Sequence, residues 1–341
     1  PSGGPAIIIY PPSRAQQQAP FTPHGPGLVL MGGNGIVDSA IVWMQETIVG
    51  GKGRRGGDLI VLRARATNEY DAQLARLAPF NSVRTIYLGP AATADDYQRA
   101  ALYVDRAQGV FVAGGDQGNY ARWKGTALMA AVQRCYDRGG VIGGISAGQA
   151  ILGEYAFDAV AADAAGADVE VTTKNAVANP SEPIISFSRD ILVLPPLRGI
   201  ITDSHFVARD RFGRLAVFLS RISSGNPRMR LMGLGIEEKT AIAIDRDGIG
   251  TLMVDHHLGR AIFIRQTRPT PIAPGQPFQA RDLAVTLLSE EGQQYDFKRW
   301  CASAPTYSVQ IDGAKTLIYR PVNPYRAPLG AKAAEFSSGR C

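Results

Sequence analysis

A serine hydroxyl becomes a nucleophile only when a base takes its proton, and that base needs an acid to hold it in the right tautomer. Among the residues of this 341-residue chain, Ser146 has the most favourable surroundings for such chemistry. It lies in Val141-Ile142-Gly143-Gly144-Ile145-Ser146-Ala147-Gly148-Gln149-Ala150-Ile151-Leu152. An apolar run that passes through G-x-S-x-G into small residues reads as a buried strand turning sharply into a helix, the nucleophile elbow. The glycines give a strained serine backbone room. The helix N-terminus beyond it favours developing negative charge. Alone, the same five residues also describe a structural turn, so a base and an acid must be found elsewhere.

There are four histidines. His24 sits in a Pro-rich N-terminal stretch, and His256 and His257 are adjacent at the end of a late strand, where at most one faces inward. His205 ends the apolar run Ile200-Ile201-Thr202-Asp203-Ser204 just before a helical pattern, which makes it the best candidate base. Arg209, Arg211 and Arg214 follow it and form a basic cluster suited to gripping a carboxylate. For the acid, Glu237 and Glu238 close the strand pattern Met232-Gly233-Leu234-Gly235-Ile236, and Asp203 competes with both. Gly114-Gly115-Asp116-Gln117 marks a second glycine-bearing strand end. Its backbone N–H can serve an oxyanion and Gln117 an amide contact, or it is a plain turn with Asp116 as a helix cap.

These residues need elements to carry them. Gly27–Met31, Asp58–Leu62, Val83–Leu88 and Gly109–Ala113 read as apolar strands. Helical patterns lie between them: Ile36, Ala40, Met44 and Ile48, then Tyr70, Leu74 and Leu77, then Tyr97, Ala101 and Val104, with one long helix expected over 120–138. The alternation predicts an α/β fold with a doubly wound, mostly parallel sheet and helices on both faces, whose sites form beyond the strands' carboxyl ends. Gly32-Gly33-Asn34-Gly35 lacks the third glycine of a dinucleotide site. Residues 156–189 predict a lid, or an insertion with its own hairpin. Order is expected to return with Ile191-Leu192-Val193-Leu194-Pro195-Pro196; Phe212, Leu215, Ala216, Leu219 and Ile222 read as a helix stripe, and Ala241–Asp245 reads as a strand. Three parts follow: an extended arm over 1–26, a catalytic domain over 27–265, and a Pro-rich linker with a small β-rich appendage over 266–341.

Composition narrows the class. The chain is 45% hydrophobic with no apolar run near the roughly 20 residues of a membrane span, so no membrane partner is expected. The net charge of +6 is spread without a Lys/Arg block, so no nucleic-acid partner is expected either. Cys135, Cys301 and Cys341 have no metal-ligand spacing. Cys135 falls on a helical pattern as a small buried hydrophobe. A Cys301–Cys341 disulfide would imply an oxidising compartment; with a first residue that is not Met it slightly favours a secreted or periplasmic setting, a trimmed cytoplasmic chain being the alternative.

Together, Gly114-Gly115-Asp116-Gln117, Gly144-Ile145-Ser146-Ala147-Gly148, Asp203-Ser204-His205-Phe206 with Arg209, Arg211, Gly213 and Arg214, and Gly233-Leu234-Gly235-Ile236-Glu237-Glu238-Lys239-Thr240-Ala241 resemble the cyanophycinases. These belong to a serine peptidase family that also holds aspartyl dipeptidase, with a class I glutamine amidotransferase-like, flavodoxin-like fold. The resemblance implies Ser146 as nucleophile, His205 as base, Glu238 as orienter, and Gly115 and Ala147 as oxyanion donors. It implies substrate contacts by Gln117, Asp203, Ser204, Arg209, Arg211 and Arg214, and a reaction without metal or organic cofactor. The implied substrate is a β-aspartyl-arginine polymer, cyanophycin, or other short peptides if the chain is nearer the dipeptidases; a non-catalytic binding protein is the third reading. A homodimer is expected. Ser204 replaces the glutamine usual between the aspartate and histidine, and Gln149 stands where a small residue is common, so both are expected to alter substrate contacts.

Overall fold

The structure, a computed structural model, describes residues 4–14, 18–166, 169–226 and 228–331. Its strands in chain order are β1 (Ile7–Ile9), β2 (Gly27–Met31), β3 (Asp58–Arg63), β4 (Ser82–Leu88), β5 (Gly109–Val112), β6 (Val141–Ile145), β7 (Tyr155–Phe157) and β8 (Phe187–Arg189). There follow β9 (Ile200–Asp203), β10 (Met232–Ile236), β11 (Ala241–Ile244), β12 (Ile249–Met253), β13 (Ala261–Gln266), β14 (Gln279–Leu288), β15 (Gln294–Asp296), β16 (Thr306–Asp312) and β17 (Tyr319–Arg320).

They form a mixed α/β fold with two sheets. The first runs β1-β4-β3-β5-β6-β2-β11-β12-β15, with β4, β3, β5, β6 and β2 parallel and the flanking strands antiparallel. The second runs β17-β16-β14-β13-β10-β9-β7-β8. The expectation of one principal sheet is therefore corrected. Apolar strands of both sheets read alike in sequence because burial on two faces erases alternation, and nothing local says which neighbour a strand takes.

Alternate residues of the central strands serve different cores. Leu28 and Leu30 pack with Met232, Leu234 and Ile236 of the second sheet, while Val29 and Met31 face Ile41, Met44 and Ile48 of the helix Asp38–Val49. On the far side of the second sheet, the helix Phe212–Ser223 buries Phe212, Leu215, Ala216 and Leu219. That apolar stripe presses the helix down and leaves its N-terminal loop, with the arginines, beside the site.

Other expectations are corrected. Within the 1–26 arm, Ile7–Ile9 is an edge strand on β4. The long helix breaks into Gln117–Ala121 and Ala127–Asp137, the second started by Thr126, whose hydroxyl accepts the Met129 N–H. The ordered run from Ile191 is irregular and leads into a short 3-10 turn opened by Pro195 and Pro196. The C-terminal strands are no appendage: β14, β16 and β17 extend the second sheet and β15 joins the first. Residues 156–189 form no separate hairpin: two short helices, Val160–Ala165 and Thr173–Ala178, lie between β7 and β8, which pair antiparallel at the edge of the second sheet. Cys135 is a free, fully buried thiol that burial pushes up to about 11, whereas Cys341 lies outside the described residues.

Candidate active site

The elbow appears as β6 followed at once by the helical turn Ala147–Ala150, with Ser146 between them at φ 55° and ψ −118°. A non-glycine residue there is strained, and neighbours with side chains would forbid it. A Cβ on Gly144 would strike the Gly148 carbonyl, and one on Gly148 the Val112 carbonyl.

Ser146 Oγ lies 2.8 Å from His205 Nε2, and His205 Nδ1 lies 2.7 Å from Glu238 Oε1. Three residues distant in sequence thus form one hydrogen-bonded line. His205 is 8% exposed, and burial pushes its imidazole below its ordinary value; the bond to Glu238 opposes this and the positive field of Arg209 and Arg211 reinforces it. The hydrogen bond from His205 holds the Glu238 carboxyl low, with Asn34 helping. A neutral imidazole beside an ionised carboxylate can take a hydroxyl proton near neutral pH.

Of the two adjacent glutamates, Glu237 turns away. Its carboxylate bonds Arg260 at 3.2 Å, and burial raises its proton affinity. Asp203 is also excluded as orienter. It is 3% exposed and takes two hydrogen bonds from Arg214, at 2.6 and 2.8 Å. Burial opposes the Asp203 charge, but Arg214 and Arg211 outweigh it, so the carboxyl lies below the usual range.

The residues expected to hold substrate separate into two groups. Gly115 and Asp116 are exposed and Gln117 half-buried, and a Cβ on Gly114 would sit 3.5 Å from Ser146 Cβ, so this loop borders the nucleophile. Gln117 donates at 3.4 Å to the Phe157 carbonyl. Arg209 is exposed and close enough to His205 to affect its charge. In contrast, Asp203, Ser204, Arg211 and Arg214 lie beneath the surface and are largely spent on each other. Arg211 donates to the Ser204 carbonyl at 2.9 Å, and burial, with repulsion from Arg214, brings its guanidinium down to about 10. Gln149 is fully buried, so neither it nor Ser204 presents a side chain at the surface, and the expected change of substrate contacts is corrected.

Removing the Asp203 carboxylate leaves Arg214 and Arg211 buried without their main counter-ion. Asp203→Ala is therefore expected to destabilise the fold by about 3–5 kcal/mol in a denaturant titration. Because the folded carboxyl is held below its unfolded value, the stabilisation is present at neutral pH and lost as pH falls through the folded value. A near-neutral result would mean that the pair contributes little.

Sequence reasoning missed two features. The turn after β2, considered only as a dinucleotide loop, is the bracket of the site. Met31 O accepts the Ser146 N–H at 3.0 Å, Gly32 O the His205 N–H at 2.8 Å, and Gly33 O the Lys239 N–H at 2.9 Å. A Cβ on Gly33 would collide with the His205 ring. Asn34 Nδ2 donates to Glu238 Oε2 at 2.7 Å. The one available signal was an asparagine between two glycines. The second feature has no local signal: Tyr319 and Tyr325, from the C-terminal segment, accept the Gly213 and Phe212 N–H groups at 3.1 Å and donate to Asp210, so that the tail caps the arginine loop.

No protein-family model matches the chain. Curated relatives do. The cyanophycinase of Geminocystis herdmanii is 28% identical over 211 residues, 60% of this chain and 66% of that protein. The cyanophycinase of Thermosynechococcus vestitus is 27% identical over 225 residues, 63% of this chain and 61% of that protein. The matched region thus spans somewhat less than two thirds of these relatives' length. Among solved structures, a peptidase from an acI-B1 Actinobacterium superposes with a TM-score of 0.48 at 15% identity, covering 81% of this chain and 99% of that one. A putative peptidase E from Listeria monocytogenes gives a TM-score of 0.38 at 13% identity, covering 65% of this chain and 95% of that one. By its sequence relatives, the chain is similar to the cyanophycinases, at 27–28% identity over somewhat more than half of its length.

Proposed function

We propose that the chain is a serine peptidase in which Ser146 is the nucleophile, His205 the base and Glu238 its orienter. The observation that carries this reading is the unbroken line from Ser146 Oγ through His205 to Glu238. Ser146 Oγ attacks the carbonyl carbon as its proton passes to His205 Nε2. The N–H groups of Gly115 and Ala147 receive the oxyanion. Collapse breaks the C–N bond, His205 returns the proton to the departing nitrogen, and an acyl ester remains. Water then attacks the ester, His205 takes a proton from it, and Ser146 is released with its proton restored. A strand-to-helix nucleophile turn on a parallel sheet also supports a class I glutamine amidotransferase-like fold.

For substrate we propose the β-aspartyl-arginine linkage of cyanophycin, on the strength of the relatives' name and of exposed Arg209 and half-buried Gln117 beside the nucleophile. The buried Asp203, Arg211 and Arg214 support the arginine loop from below. Comparing release of dipeptide from the β-linked polymer with cleavage of α-linked aspartyl dipeptides tests the assignment, and activity confined to the α-linked peptides would overturn it. A homodimer belongs to the same proposal and is checked by light scattering.

The reaction needs neutral His205, whose proton affinity lies below the ordinary 6.5. Activity is expected to fall only on acidification past that value, with the acid midpoint of kcat/KM below 6.5. A midpoint above 7 would contradict the burial argument.

A further inference from the structure

We propose that Asn34 is a positioning residue that sets Glu238, and through it the imidazole of His205; this rests on the reading of Ser146, His205 and Glu238 as a working set. Glu238 has two carboxylate oxygens. Oε1 takes the bond to His205 Nδ1 and Oε2 takes the bond from Asn34 Nδ2, both 2.7 Å long. With one oxygen held from each side, the carboxylate cannot rotate away from the ring without breaking a charge-assisted bond. The restraint matters because Glu238 is only partly covered, with 24% of its side chain exposed, so packing alone does not hold it.

The backbone places the amide for this task. Asn34 adopts φ 53°, a left-handed conformation that asparagine tolerates and most side chains do not. Its neighbours Gly32 and Gly33 accept the N–H groups of His205 and Lys239, so the turn that aims the amide also holds the histidine and the residue after Glu238. A displacement of this turn therefore moves donor, carboxylate and ring together.

Glycine fits the same backbone, so Asn34→Gly removes the amide without adding strain. Asn34→Asp keeps the size but sets a second carboxylate against the first. The test uses the full chain, labelled at Ser146 by a serine-directed fluorophosphonate across pH, together with proton NMR of the His205 Nδ1–H. Asn34→Gly is expected to slow labelling about tenfold at neutral pH, the scale of one hydrogen bond to a charged group, with the thermal midpoint nearly unchanged. In both variants the Glu238 charge is less shared and holds imidazolium better, so the acid midpoint of labelling is expected to rise, further in Asn34→Asp. The Nδ1–H signal is expected to shift or broaden in Asn34→Gly. Unchanged labelling, midpoint and Nδ1–H signal in Asn34→Gly would overturn the proposal. Wild-type protein that resists the label would instead overturn the nucleophile reading, and the NMR comparison would still decide the role of Asn34.

Discussion

Ser146→Ala is expected to lower hydrolysis by more than about 10⁴-fold and to abolish fluorophosphonate labelling. The magnitude follows from what is lost: without Oγ no acyl ester forms, and any remaining rate comes from backbone donors acting on water. The fold is expected to survive, because alanine meets the same positive φ and the Ser146 N–H keeps its bond to Met31 O. His205 then loses the partner at Nε2 but keeps Glu238. A variant that folds and still hydrolyses substrate at the wild-type rate would remove Ser146 from the mechanism.

The second large effect separates two adjacent carboxylates. Glu238→Gln is expected to cost about 10³–10⁴-fold in kcat/KM, since an amide facing Nδ1 no longer stabilises the imidazolium and permits the wrong tautomer. Glu237→Gln is expected to change the rate only a few-fold, because its carboxylate bonds Arg260 and not His205. It weakens a half-buried ion pair instead, a loss read in the thermal midpoint. Equal kinetic penalties in the two variants would mean that the His205 contact does not define the orienter.

The expected parallel strands and the sharp turn at Ser146 were legible in sequence, because each depends on residues close together in the chain. Apolar runs such as Gly27–Met31 and Val141–Ile145 are long enough to bury both faces, and the glycines around Ser146 admit the backbone that serine adopts. His205 stood out by elimination among four histidines. The loops at Gly115 and Gln117 were legible as neighbours of the elbow for the same reason, since the strand that precedes them pairs with β6.

Choosing between Glu237 and Glu238 was a tertiary decision: consecutive residues at a strand end point to opposite sides, and which side holds His205 depends on a turn some 200 positions earlier in the chain. The same holds for Asp203, Arg211 and Arg214, whose residue types read as ligand-binding but whose burial makes them partners of one another. Where the C-terminal strands would go was equally undecided, since a strand's own residues record that it is buried and not which edge it joins. Chemistry-bearing residues and their local geometry are written in short-range sequence; which of them meet is set by packing between segments that carry no record of each other.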